Sequence, residues 1–329
     1  MIDLFNRLYP EFDPACLRNA ETLLELALAE DLGTPMPFLR LNVTAGRIDL
    51  ETIEGGGGQG DITTESTIPD KARGAAEFVA RTAGVVAGIP VLHLVAWRFG
   101  LGNWFRPLVK DGDRVQPGTP LASVAGPMRA LLSMERTGLN FLQRLSGIAT
   151  LTARFVSEVV ETKAVILDTR KTTPGWRALE KYAVRCGGGK NHRFGLYDQV
   201  LIKDNHLAWM AHLGEPDPIV ASVASARAKS PAATVIEVEV DTLEQFDRAL
   251  VCAPDIVLID NLGPAQLAEA VRRRDTRAPR VLLEASGGVN LATVAALART
   301  GVDRVSVGAL THSAPALDIG LDFDRSEPS

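Results

Sequence analysis

Run after apolar run in the second half of the chain ends in a group that could bind or transform an anion. The groups are Asp168-Thr169-Arg170-Lys171, Lys203-Asp204-Asn205, Glu239, Asp260-Asn261, Ser286-Gly287-Gly288 and Gly308. Arg170, Lys171, Lys190, His192, Arg193 and Lys203 supply positive charge, and arginine forks match the paired oxygens of carboxylates and phosphates. Glu237 and Glu239 supply two carboxylates able to hold Mg²⁺ or face a cation. Ser286-Gly287-Gly288-Val289-Asn290 and Gly308-Ala309-Leu310-Thr311-His312 each join a strand to a helix, a place where backbone N–H groups of barrels hold phosphate. Residues 187–193 are glycine-rich and basic but lack the Walker spacing. No Cys–His or Ser–His pair stands out as a nucleophile system. The inventory describes a phosphate-ester or phosphoribosyl substrate with an acidic co-substrate, and does not name the reaction.

The elements that must position these groups alternate. Strands are predicted at 164–168, 200–203, 235–240, 256–260, 280–284 and 304–307. Helices are predicted near 176–185, 218–229, 242–250, 264–274 and 290–299. Alternating β and α units mean a parallel sheet, closed as a barrel or open and doubly wound. In a barrel the C-terminal strand ends share one mouth. Along 235–240, period two puts Ile236, Val238 and Val240 on one face and Glu237 and Glu239 on the other. Two carboxylates inside a barrel need a cation, a metal or solvent. The other reading is an edge strand with a solvated acidic face.

The first half has a different rhythm. Residues 14–31 read as an amphipathic helix with Leu17, Leu24 and Leu28 on one stripe. Residues 34–59, ending in a glycine run, read as an irregular, mobile surface loop. The run formally matches GxGxxG, but no helix pattern is seen in Asp61-Ile62-Thr63-Thr64, so a dinucleotide site is rejected. Residues 74–126 read as short strands and turns, and 128–160 as two helices broken near Gly147.

Composition bounds the function. The 329 residues carry 35 basic and 40 acidic side chains, a net charge of −5. Mild acidity argues against nucleic acid or anionic membrane as the main partner. Cys16, Cys186 and Cys252 are widely spaced with no CxxC pair, which excludes a disulfide framework and fits a reducing, cytoplasmic setting. Neither a signal-peptide core nor an apolar run long enough for a membrane span is present in the sequence.

These residues resemble the quinolinate phosphoribosyltransferases. The resemblance is carried by 135–140, 168–175, 187–195, 203–206, 237–240, 260–261, 284–288 and 308–313, and by Ala29-Glu30-Asp31-Leu32-Gly33 and Gly60-Asp61-Ile62-Thr63-Thr64 in the N-terminal part. It covers nearly the whole chain. Residues 34–59 depart from it, since the family joins those two N-terminal pieces almost directly.

The resemblance implies an α/β fold, an N-terminal α/β sandwich (1–140, with 314–329 packing back on it) followed by an incomplete parallel α/β barrel (141–313). It implies that quinolinate and phosphoribosyl pyrophosphate become nicotinate mononucleotide, CO₂ and pyrophosphate, in de novo NAD biosynthesis. Residue by residue, it implies that Arg136 reaches the quinolinate of a dimer partner, and that Thr169, Arg170, Lys171, His192 and Arg193 bind substrate. Lys203, Glu239 and Asp260 would face the ribose, Mg²⁺ and pyrophosphate, with Glu239 and Asp260 touching the metal directly or through the pyrophosphate. Lys171, Lys203, Glu239 and Asp260 form the implied catalytic set, and Glu237 is expected to tolerate substitution better than Glu239. Ser286, Gly287, Gly288, Val307, Gly308, Ala309 and His312 would hold phosphate. The implied assembly is a homodimer with shared active sites, or a higher oligomer built from it. Two alternatives keep the same residues: a pyrophosphorylase-like protein of molybdenum-transport clusters, and a Schiff-base aldolase using Lys171 or Lys203.

Overall fold

The computed structural model describes residues 5, 7–33, 38–44, 47–53 and 60–323. The chain divides into two units, one of Met1–Thr150, Pro174–Cys186 and Pro315–Ser329, the other of Leu151–Thr173 and Gly187–Ala314. Among the described residues, no helix is long and apolar enough to cross a membrane.

In the first unit, the helix Pro14–Leu32 begins where Asp13 accepts from the N–H groups of Ala15 and Cys16 and stops at Gly33, with φ 61°. Within 34–59, the described residues 38–44 and 47–53 are not the irregular loop expected. Strands β1 (Phe38–Thr44) and β2 (Arg47–Ile53) pair antiparallel, with Leu41 opposite Leu50 and Val43 opposite Ile48. Leu39, Leu41 and Val43 alternate with Arg40, Asn42 and Thr44, a period-two signal that the neighbouring glycines obscured. The four consecutive glycines lie outside the described residues. Asp61 does start a short helix, Ile62–Thr67, and its carboxylate accepts from the Thr64 N–H. The side chain thus occupies the helix start that a phosphate would need, and the dinucleotide reading fails for that reason.

Further strands are β3 (Arg73–Ala80), β4 (Gly84–Val85), β5 (Phe105–Pro107), β6 (Arg114–Val115) and β7 (Pro120–Pro127). The strand Ile319–Phe323, β3, β7 and β5 form an antiparallel sheet in that order, and β4 pairs with β6. The predicted run of strands and turns over 74–126 contains a helix, Ile89–Arg98, in which residues 89–96 are all buried. A helix apolar on every side has no amphipathic period to read. Asp111 secures its start by accepting from the N–H groups of Gly88 and Ile89 and from the Tyr182 hydroxyl. The expected break near Gly147 is absent, and Met128–Val159 is one helix. A Cβ at Gly147 would lie 2.1 Å from the Pro315 carbonyl oxygen, so this glycine admits another backbone segment rather than ending the helix.

The second unit is the incomplete parallel α/β barrel. Its strands are β8 (Val165–Leu167), β9 (Val200–Ile202), β10 (Ile236–Val240), β11 (Ile256–Asp260), β12 (Leu282–Ser286) and β13 (Arg304–Ser306). All pair in parallel, in the order β8-β13-β12-β11-β10-β9. Ile236, Val238 and Val240 are buried at 0–1% exposure, and Val257, Leu283, Ala285 and Val305 continue that apolar layer. The opposite face carries Glu237, Glu239, Asp260, Glu284, Ser286, Arg304 and Ser306 by the same alternation. A segment missed in the sequence, Asp204–His212, is helical and has no buried residue.

Candidate active site

The site is built from β8 outward. Immediately after β8, Asp168 is fully buried and accepts from the His192 N–H at 2.9 Å and from the Asn191 side-chain amide at 2.5 Å. Lys190 bridges to Leu167, so residues 190–192 lie against the free edge of β8. At the other side of the opening, Arg193 donates to the carbonyl of Gln199, the residue before β9. The glycine-rich basic segment therefore spans the seam that the missing strands leave.

Arg170 and Arg193 are brought together there. Burial, and then the charge of Arg170, lower the Arg193 pKa. The Nε of Arg170 is buried and has no hydrogen-bond partner. Two guanidinium groups near enough for the charge of one to act on the other, one with a bare donor, offer paired positive charge to an anion. Lys171 sits on the same turn, where its backbone N–H bonds the Thr169 hydroxyl.

The turn after β13 meshes with it. The Thr311 hydroxyl donates to the Lys171 carbonyl at 2.7 Å. A Cβ on Gly308 would lie 3.1 Å from both Lys171 Cδ and His312 Nε2. Val307 is buried and its N–H bonds the Leu167 carbonyl, which leaves it no donor to offer phosphate. Gly308 and Ala309 are only half-buried. The turn after β12 meshes with the one after β11. Gly287 has φ 89°, and a Cβ there would lie 2.1 Å from Asn261 Oδ1. Asn261 donates its backbone N–H to the Ser286 carbonyl and its side-chain amide to Asp260. Glu239, at the end of β10, pairs with Lys203 at 2.9 Å. The C-terminal ends of all six strands thus carry the predicted groups around one mouth. Arg136 belongs to the other unit, exposed on the helix Met128–Val159.

His192, expected to bind substrate, is 9% exposed. Its Nε2 lies 3.1 Å from Glu237 and 3.4 Å from Glu284, and its Nδ1 accepts from the Arg193 backbone N–H at 2.7 Å. Arg304 pairs with Glu284 at 2.9 Å. Burial lowers the His192 pKa, but the two carboxylates outweigh it and carry it up to about 9. A proton on Nδ1 would face the Arg193 N–H, so the geometry opposes that imidazolium. The bond to Nδ1 selects the Nε2–H form of the ring, and burial raises the pKa of Glu237 beside it. Glu284 and Arg304 were not among the site residues expected from the sequence, and Glu237 was expected only as the more tolerant neighbour of Glu239. A lone charge inside each short apolar strand was the available signal.

Fold and site together define the class, an α/β-barrel protein with basic and acidic groups gathered at its strand ends. Residues 61–146 match the family model for the quinolinate phosphoribosyl transferase N-terminal domain, and 148–322 match that for its C-terminal domain. The chain belongs to the quinolinate phosphoribosyltransferase family. It is 50% identical over 266 residues to the carboxylating nicotinate-nucleotide pyrophosphorylase of Mycobacterium leprae, covering 80% of this chain and 91% of that protein. A probable enzyme of the same name from Bacillus subtilis is 40% identical, with 89% and 97% covered. The solved nicotinate-nucleotide pyrophosphorylase of Francisella tularensis superposes with a TM-score of 0.78 at 33% identity, covering 93% of this chain and 96% of that one.

Proposed function

We propose that this chain transfers the phosphoribosyl group of phosphoribosyl pyrophosphate to quinolinate, giving nicotinate mononucleotide, CO₂ and pyrophosphate in de novo NAD biosynthesis. The observation that carries this reading is the neighbouring pair Arg170 and Arg193 with the unpartnered Arg170 Nε. Two forks and the exposed Lys171 suit the two adjacent carboxylates of quinolinate. Ser286, Gly287, Gly288, Gly308, Ala309 and His312 surround phosphate.

The C1–O bond of the ribose breaks with its electron pair leaving on pyrophosphate. Positive charge then grows at C1, and Glu239 and Asp260 stabilise it by preorganised electrostatics. The pyridine nitrogen bonds to C1 and becomes cationic. That ring cation takes up the electron pair released as the 2-carboxylate departs as CO₂, and a proton fills the vacated ring carbon. Lys203, held by Glu239, stands ready to meet the pyrophosphate.

Mg²⁺ is a proposal on the donor set. Glu239 and Asp260 end neighbouring strands and offer hard oxygen ligands, which with substrate phosphates suit this ion. Among the described residues the one cluster of three metal-type side chains is His192, Glu237 and Glu284, elsewhere in the barrel. When bound at Glu239 and Asp260, Mg²⁺ would neutralise the leaving pyrophosphate. Assembly as a homodimer with shared sites is supported by the exposure of Arg136. It is also supported by uncovered Leu196, Tyr197, Trp209 and Leu213, which are 62–81% exposed, the last two on and at the end of the helix Asp204–His212, which has no buried residue. Three free cysteines accord with a cytoplasmic enzyme.

The test is substrate choice. With phosphoribosyl pyrophosphate and Mg²⁺, kcat/KM for quinolinate should exceed that for nicotinate by at least about 100-fold, because nicotinate leaves charge-paired donors unmet. Equal use of nicotinate would remove the dicarboxylate reading.

A further inference from the structure

The cluster of His192, Glu237, Glu284 and Arg304 lies among the inward-facing residues of the barrel strands, and no step of the proposed reaction uses Glu237, Glu284 or Arg304. Glu237 and Glu284 are fully buried, His192 is 9% exposed, and the charged atoms come from three strands and the seam segment. Three metal-type ligands this close suggest an ion at first sight. The other side of the ring argues against it. The Arg193 N–H occupies the Nδ1 lone pair at 2.7 Å, so the ring proton must sit on Nε2, and a protonated nitrogen cannot bind a metal. Nε2 is therefore a donor, aimed at Glu237 with Glu284 behind it. Arg304 balances Glu284, and Gln199 donates to the same Glu237 oxygen at 2.5 Å.

We infer that Glu237 and Glu284 are positioning residues: by taking the His192 Nε2–H they lock the ring so that Nδ1 holds the Arg193 backbone, and thereby set Arg193 for its substrate. The chain of contacts is continuous. Glu237 also holds Gln199, whose carbonyl receives the Arg193 guanidinium, so one carboxylate anchors Arg193 from its backbone and from its side chain. This inference rests on the reading that Arg193 clamps quinolinate.

Two measurements test it. In the wild-type protein with ¹⁵N-labelled histidine, NMR should show His192 with a protonated Nε2 and a bare Nδ1, unchanged by added Zn²⁺. A protonated Nδ1, or loss of the Nε2 proton on adding Zn²⁺, overturns the inference. In kinetics, Glu237→Ala should raise KM for quinolinate about tenfold or more, as expected when a buried hydrogen-bond acceptor is lost and its donors are left unmet. KM for phosphoribosyl pyrophosphate and kcat should stay within roughly threefold. Glu237→Gln, which keeps an acceptor for the ring, should recover most of that loss. Equal rises in both KM values, with Gln no better than Ala, would mean a merely structural role and overturn it. An Arg193→Ala variant with unchanged quinolinate KM, alongside the expected tautomer, would instead overturn the underlying substrate reading.

Discussion

Glu239→Ala and Asp260→Ala should each lower kcat by a factor of roughly 30 to 1,000 while changing substrate affinity far less. The range corresponds to about 2–4 kcal/mol, the usual loss on removing one preorganised group that meets developing charge. Both carboxylates end adjacent strands of a rigid parallel sheet, where their positions cost no reorganisation as the ribosyl cation forms. Glu239 has a second consequence, because its loss frees Lys203 from a 2.9 Å ion pair and lets it move. Glu239→Ala should therefore be the more damaging of the two. Steady-state kinetics with quinolinate varied at saturating phosphoribosyl pyrophosphate would separate the effects. Near-normal turnover in both variants would end the assignment of these residues. Glu237 remains more tolerant than Glu239 in turnover, but its burial and its bonds to Gln199 and His192 mean that its loss is not silent. Its substitution should show in KM, as Glu239 and Asp260 show in kcat.

Two nearly inactive variants should restore one another. Arg136→Ala removes a guanidinium exposed in the first unit, and Lys171→Ala removes a lysine beside the Arg170 turn in the second. In a dimer whose sites are shared between chains, a mixed pair holds one site with both defects and one with neither. Random exchange of equal amounts makes about half of the dimers mixed, each with one intact site of two, so roughly a quarter of wild-type activity should return if sites act independently. Verified subunit exchange without recovery would place Arg136 in its own chain's site or outside the chemistry.

Much of the barrel was legible because its strands are short apolar runs ending in polar groups. The limits read for 256–260 are those of β11, and the helix predicted from 218 to 229 is Pro218–Lys229. The rim groups were legible for the same reason: each follows directly on a recognisable strand. What could not be read depends on contacts between strands. Glu284 and Arg304 are separated by twenty residues and meet only through the β12–β13 register. The bond from the Arg193 N–H to His192 Nδ1 depends on a local backbone conformation that residue types do not specify. The helix Ile89–Arg98 lacked a period because every side of its first eight residues is buried. The β1–β2 hairpin did carry a period, and the adjacent glycines drew the reading towards a loop.

The central claim is that one mouth joins ribose to quinolinate and expels its 2-carboxylate. The most direct measurement uses quinolinate labelled with ¹³C in the 2-carboxyl group, incubated with the protein, Mg²⁺ and phosphoribosyl pyrophosphate. Labelled CO₂, pyrophosphate and unlabelled nicotinate mononucleotide should appear together in equal amounts, and none should form when phosphoribosyl pyrophosphate is left out. Absence of turnover, or a nucleotide that keeps the label, would contradict the account.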